Sequence, residues 1–263
     1  MSNPKLSLDG LTFQATKIDI SNNILSITLN RPEKKNALNN VMMNELNYAL
    51  AYAKQQREIR VVVIGAEGDV FCAGADLRRA KEESNVPKLE HADDVSFSLR
   101  RLHKPVICKI QGSVLAGALL IVTNSTHAIA VKEATFSAPE IHRGLWPFMV
   151  MAGLFRVMPK RAGLDFIMRG QPIDARQAEQ WGLINQSVPA NELEKTVSDL
   201  ANELASLAPE TMQLGLAAYE QQDALVFDEA LPYLQEQIAQ CFQSHDAKEG
   251  IAAFLEKRKP NWK

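Results

Sequence analysis

Arg60-Val61-Val62-Val63-Ile64-Gly65 is an unbroken apolar run closed by a glycine, and it leaves the chain few folds to choose from. A strand with one wet face alternates apolar and polar residues. A run of strand length without alternation belongs to a strand covered on both faces, which means a parallel sheet under helices. Pro105-Val106-Ile107-Cys108-Lys109-Ile110 repeats the pattern and runs into Gln111-Gly112-Ser113-Val114-Leu115-Ala116-Gly117-Ala118. That stretch, like Phe71-Cys72-Ala73-Gly74-Ala75-Asp76-Leu77, puts unhindered backbone where a strand should hand over to a helix. The unit of strand, Gly/Ala turn and helix therefore occurs at least twice, and the fold class is α/β.

Other segments fill in the order. Residues 13–20 and 24–30 alternate as strands, and 39–56 carries apolar residues at helical spacing with Asn40 as the N-cap. Residues 126–131 and 133–137 read as short strands. From Pro147 the helical period takes over, through Phe155, then 161–168 and 175–180, with a late strand at 183–188. Helices follow over 191–207, 209–221, 227–243 and 247–257. That last block cannot bury Leu225, Val226, Leu231, Leu234, Ile238, Phe242, Ile251 and Phe254 on itself, so it should pack on the main body, on a neighbouring subunit, or on both. No Gly/Ser-rich linker sets it apart, which gives a core over residues 1–200 and an appended helical region over 201–263.

The bulk numbers narrow the function classes. A chain of 263 residues that is 46% hydrophobic can bury a large core. Lys plus Arg total 29 against 31 Asp plus Glu, so the net charge of -2 offers no global attraction to nucleic acid or to an anionic membrane. The start, Met1-Ser2-Asn3-Pro4-Lys5, lacks the features of a secretory signal or transit peptide, and the expectation is a cytoplasmic protein. The longest apolar run, 114–122, is well short of the roughly 20 residues a spanning helix needs. Cys72, Cys108 and Cys241 have no CxxC spacing and read as buried hydrophobes in a reducing compartment.

Nucleotide fingerprints of the GxGxxG and GxxxxGK[ST] types are absent, and no GxSxG elbow frames a serine. His91, His103, His127, His142 and His245 show no HExxH or HxxxH pairing, so no metal site is expected. The basic runs Arg100-Arg101-Leu102-His103-Lys104 and Lys257-Arg258-Lys259 read first as solvated helix faces.

What survives is a set of motifs in register. Leu29-Asn30-Arg31-Pro32 is followed by Asn36-Ala37-Leu38, by the FCAGADL and QGSVLAGA stretches, by Ala138-Pro139-Glu140-Ile141-His142-Arg143-Gly144-Leu145-Trp146-Pro147, and by a tail from Glu249-Gly250 to Pro260. In order and spacing these resemble the crotonase superfamily, the enoyl-CoA hydratases and isomerases. The resemblance implies a spiral of ββα units, a C-terminal helical region that trimerises, and a homotrimer or a hexamer of paired trimers. It implies an acyl-CoA thioester as the small-molecule partner and no cofactor beyond the coenzyme A carried by the substrate. Nucleic-acid and membrane partners are not expected. Carried over by position, Ala75 N–H and Gly117 N–H become oxyanion-hole donors and Glu140 the acid–base group. Ala73, Asp76, Leu77 and Arg78 then line the acyl-CoA channel, Ala37 and Leu38 border the coenzyme, and Phe254 with Lys257 approach its adenosine-phosphate end from a neighbouring subunit. Lys257 as a plain surface lysine is the competing reading.

One departure from the hydratase pattern stands out. Typical hydratases carry a second glutamate three residues beyond the glycine matched by Gly117, and this chain has Leu120 there. Water addition usually shares its water between two carboxylates, whereas moving a double bond from the 3,4 to the 2,3 position needs one base and no water. The resemblance is therefore closest to Δ3,Δ2-enoyl-CoA isomerases, with Glu140 as proton shuttle. Hydration with a single glutamate is the alternative, and a non-catalytic acyl-CoA- or RNA-binding protein is the alternative of another class. Leu145 and Trp146 are candidates to wall the acyl pocket, while Phe148, Met151 and Phe155, at helical spacing, read as core.

Overall fold

The computed structural model describes residues 5–78, 84–89 and 94–262. His91 and the Met1 to Pro4 start discussed above lie outside them. The chain runs β1 (Thr16–Ser21), β2 (Ile24–Leu29), α1 (Asn40–Gln55), β3 (Val61–Ala66), β4 (Val70–Cys72), α2 (Val95–Arg100), β5 (Val106–Ile110), β6 (Ser113–Leu115), α3 (Leu119–Thr123), β7 (His127–Val131) and β8 (Thr135–Ser137). It continues with α4 (Phe148–Val157), α5 (Lys160–Arg169), β9 (Ile173–Asp174), α6 (Ala175–Gln180), β10 (Gln186–Val188), α7 (Leu193–Ala205), α8 (Pro209–Gln222), α9 (Phe227–Gln243) and α10 (His245–Glu256). Short 3-10 turns occupy Pro32–Lys34, Ala116–Ala118, Pro139–Arg143 and Ala190–Glu192.

Two sheets are wound together. A six-stranded sheet has the order β1-β2-β3-β5-β7-β10 and a four-stranded sheet the order β4-β6-β8-β9. Three strands of the first, β3, β5 and β7, are each followed by a short strand of the second, β4, β6 and β8 respectively. Both sheets advance in step, so the chain spirals. The large sheet is parallel from β2 to β10, with β1 antiparallel at its edge. In β3, Val61, Val62 and Ile64 are fully buried, as an unalternating strand must be. Each such side chain contributes roughly 1.5–3 kcal/mol of burial before entropy is charged. α7 lies across β2, β3, β5 and β7. Its buried residues Leu193, Val197, Ala201 and Ala205 recur every four positions, the stripe a sheet-covering helix requires.

Several boundaries differ from the sequence reading. The N-cap of α1 is Asn39 and not Asn40: Asn39 is extended and its side chain accepts from Met42 N at 2.9 Å, which leaves Asn40 as the first helical residue. The late strand shrinks to β10 because Leu183 and Ile184 are spent closing α6, both their N–H groups donating to the Ala178 carbonyl. Phe148 opens α4 and is 75% exposed, so it is not core; the buried face of that helix is Val150, Gly153 and Leu154. Met151 and Phe155 do pack against the core. The helices α8, α9 and α10 pack on one another and leave Val226, Phe227, Leu231, Ile238, Phe242 and Phe254 exposed. No helix among the described residues is long and apolar enough to cross a membrane.

Candidate active site

Three parallel strands of the small sheet end side by side. The register pairs Cys72 with Val114 and Leu115 with Ser137, so the segments leaving β4, β6 and β8 emerge as neighbours. These segments hold Ala75, Gly117 and Glu140 respectively. Ends of parallel strands are where α/β folds collect ligand-binding groups.

Ala75 is held by an isolated parallel bridge to Leu38. Leu38 N donates to Gly74 O at 2.8 Å and Asp76 N donates to Leu38 O at 2.9 Å. In a parallel pair the bonds of one residue are taken by its partner's two neighbours, so the N–H of Ala75 itself faces away from Leu38. It faces the next turn. A Cβ built on Gly117 would lie 3.5 Å from Ala75 N, and one on Gly74, at φ +86, would lie 2.9 Å from Gly117 N. Gly117 sits in the first turn of the Ala116–Ala118 3-10 helix, which provides no acceptor inside the turn for its N–H. Ala116 at φ 53 aims it, in a left-handed conformation that costs an L residue about 1–2 kcal/mol. Two amide hydrogens are thus brought together around a space that only the absence of side chains keeps open.

Glu140 lies in the Pro139–Arg143 turn, started by a proline and stopped by Gly144 in the left-handed region. Leu145 N donates to the Glu140 carbonyl at 3.1 Å, and Gly170, which ends α5, backs so closely on Ile141 and His142 that a Cβ there would meet them at 2.9 and 3.0 Å. The turn is clamped. The carboxyl is half-buried, and among the described residues its buried Oε2 has no hydrogen-bond partner. Burial pushes its pKa above the usual glutamate range, while its own backbone amide and the charge of Arg143 pull the other way. An unmet buried acceptor costs about 1–3 kcal/mol, so a group that brings it a proton or a hydrogen bond is favoured there.

Leu120 is half-buried in α3, one turn beyond Gly117 and therefore on the same face. Trp146 packs against the core and its Nε1 donates to Met151 Sδ at 2.9 Å, whereas Leu145 is 53% exposed. Ala37, Leu38, Ala73 and Asp76 gather around Ala75, with Ala73 N donating to Lys35 O at 3.0 Å. Leu77 and Arg78 are exposed just beyond. Phe254 and Lys257 are not brought to this place within one chain. Phe254 is 82% exposed on α10, Lys257 caps that helix at φ 55, and the chain end is tied through Trp262 O to Arg60, which precedes β3. The donor turns lie beyond the other end of that strand.

Sequence reasoning missed one group. Arg31 Nη1 donates to the Ala37 carbonyl at 2.7 Å, and its guanidinium pairs with Asp76 at 3.3 Å. The Asp76 carboxyl is held below its usual range by the Arg78 N–H and by Arg31. Both of its oxygens are thus engaged within the chain. Asn36, fully buried at φ 53, accepts from Arg31 N and donates to Glu67 O and Val70 O. Burial pushes the thiols of Cys72 and Cys108 up to about 12, as suits packing groups.

Amide donors beside one acid suit the polarisation of a carbonyl and the movement of a proton next to it. Comparison with known proteins narrows the class. The sequence profile described as enoyl-CoA hydratase/isomerase matches residues 19–263, and the chain belongs to that family. It is 32% identical over 238 residues to the short-chain-enoyl-CoA hydratase of Clostridium acetobutylicum, covering 89% of this chain and 91% of that one. To mevalonyl-coenzyme A hydratase sidH of Aspergillus fumigatus it is 30% identical over 254 residues, 91% of each chain. To the human mitochondrial enoyl-CoA hydratase domain-containing protein 3 it is 30% identical over 243 residues, 91% of this chain and 80% of the relative. The crystal structure of an enoyl-CoA hydratase from Mycobacterium smegmatis superposes with a TM-score of 0.86 at 27% identity, over 95% of this chain and 99% of that one. The wound pair of sheets is thus the crotonase fold, and the chain is an enzyme of that class.

Proposed function

We propose that the enzyme moves the double bond of a 3-enoyl-CoA to the 2,3 position. The thioester oxygen accepts from Ala75 N–H and Gly117 N–H. Glu140 takes the proton from C2, the electron pair spreads over a dienolate whose negative oxygen the two donors hold, and the same carboxyl returns the proton at C4. No atom is gained or lost, and no second acid is required. The observation that carries this reading is the buried, unpartnered Oε2 of Glu140 on a site where Leu120, not a carboxylate, follows Gly117 by one turn. Among the described residues the influences on Glu140 are burial, its own amide and Arg143, with no second carboxylate. A raised pKa suits a group that must both take and give a proton.

The magnitudes are adequate. One oxyanion donor supplies about 100- to 1,000-fold in rate and a placed general base about 100- to 10,000-fold. Leu77, Leu120 and Leu145 supply the apolar surroundings of the acyl group, and Ala37, Leu38, Ala73, Asp76 and Arg78 border the coenzyme. The exposed apolar faces of α9 and α10 support a homo-oligomer, in which Phe254 and Lys257 of a neighbouring copy would reach the adenosine end.

A second reading is hydration of a 2-enoyl-CoA by a water that Glu140 alone orients, and the names of the relatives favour it, since several are called hydratases. A panel of 2-enoyl and 3-enoyl thioesters, with product followed for both double-bond position and hydroxyacyl-CoA, separates the two. Conversion of 3-enoyl to 2-enoyl substrate with little hydroxyacyl product is the expected result. Hydroxyacyl product formed as fast as the isomer would transfer the assignment to hydration.

A further inference from the structure

We propose that Arg31 is a positioning residue for the Ala75 N–H donor, fixing the register of the two segments that carry it. Among the described residues the guanidinium grips both segments. Nη1 donates to the Ala37 carbonyl at 2.7 Å, and Nη1 and Nη2 both reach Asp76 Oδ2 at 3.3 Å. Ala37 precedes Leu38 and Asp76 follows Ala75, so the fork spans the Leu38–Ala75 bridge from one segment to the other. Besides the fork, the two segments are joined by the two backbone bonds of the bridge and, on the side of β4, by Ala73 N donating to Lys35 O and Cys72 Sγ donating to Asn36 O, both at 3.0 Å, while Ala75 itself is exposed to solvent.

Arg31 is itself anchored. Its N–H donates to Asn36 Oδ1 at 2.8 Å, and the fully buried Asn36 donates onward to Glu67 O and Val70 O, both at 2.8 Å. A continuous hydrogen-bonded path therefore leads from the β3–β4 connection through Asn36 and Arg31 to the donor turn. The side chains of Arg31 and Asp76 are only 11% and 18% exposed, so the pair is less screened than a surface one. Asp76 Oδ1 accepts from Arg78 N at 3.2 Å, which engages the second carboxylate oxygen within the chain. A planar fork can serve a carbonyl and a carboxylate at once; a lysine ammonium is a point charge without that geometry.

This inference rests on the reading of Ala75 N–H as an oxyanion donor, so its test must report on the donor directly. The full chain and the variants Arg31→Met, Arg31→Lys, Asp76→Ala and Arg31→Met/Asp76→Ala would be compared for kcat and KM on a 3-enoyl-CoA. In parallel, the ultraviolet absorption of a bound 3-oxoacyl-CoA would be recorded at a pH where the free thioester stays in its keto form, since donors on the thioester oxygen stabilise its enolate. Arg31→Met should weaken the enolate band and lower kcat by about 100-fold, the scale of a displaced catalytic group, with KM little changed. Arg31→Lys should recover only part, and the double variant should be no worse than Arg31→Met, because the two residues act as one unit. A folded Arg31→Met protein with the wild-type band and kcat overturns the proposal. Should that variant fail to fold, Asp76→Ala decides: a weakened band supports the clasp and an unchanged band overturns it. An absent band in the wild-type protein would instead overturn the donor reading, and the clasp's purpose with it.

Discussion

The two turns proposed to hold the thioester oxygen are built by opposite means. Ala75 is exposed, and its direction is set from outside, by a bridge to Leu38 and by the Arg31 fork. Gly117 is half-buried, and its direction is set from within, by Ala116 at φ 53 and by the start of a helix that continues into α3. The first arrangement depends on side chains far off in sequence. The second depends on local backbone and on packing. Between them lies Gly74, at φ +86, touching both. Substitutions should therefore separate faults that spread to both donors from faults confined to one.

Gly74→Ala is expected to have the largest effect. Its Cβ would lie 2.8 Å from Ala116 Cβ and 2.9 Å from both Gly117 N and Leu115 O, and the backbone would have to keep a positive φ. Both turns must move. Stability should fall by about 2 kcal/mol or more and kcat/KM by about 1,000-fold, read by thermal melting and steady-state kinetics. Gly117→Ala should be narrower in kind. Its Cβ meets Ala75 N at 3.5 Å, an ordinary contact the fold can bear, yet it occupies the space the thioester oxygen needs. The melting temperature should stay close to wild type while kcat/KM falls about 100- to 1,000-fold. Equal losses of stability in the two variants would erase the distinction between a shared hinge and a single donor.

The smallest expected effect lies on the acid. In the proposed reaction Glu140 acts as a base when deprotonated, so the rate should be lost as pH falls through its pKa, which burial pushes above the usual glutamate range. Arg143 holds the pKa down. Arg143→Gln should move the acid limb of kcat/KM to higher pH with little change on the plateau; a limb that stays in place or moves down would remove Arg143 from the electrostatics of the site.

How much of this the sequence disclosed follows from length scales. β3 and β5 are long enough for an unalternating apolar run to be read, and α9 matched its expected bounds at Phe227–Gln243. β4, β6 and β9, of two or three residues each, show no period, and so three of the four strands of the small sheet that carries the site escaped notice. The donor stretches were visible as absences of side chains, but their meeting depends on the β4–β6 register, which no local pattern encodes. Glu140 and Leu120 emerged through family resemblance. The Arg31–Asp76 pair was illegible because charged partners so distant in sequence meet only once Leu38 and Ala75 have bridged.

The account stands or falls on the proton that Glu140 moves. Incubating wild-type and Glu140→Gln proteins with a saturated acyl-CoA in deuterated water, and following C2 by NMR, measures that step apart from turnover. Exchange in the wild type and its loss in the variant is the predicted result. Exchange at C2 that persists in folded Glu140→Gln would contradict it.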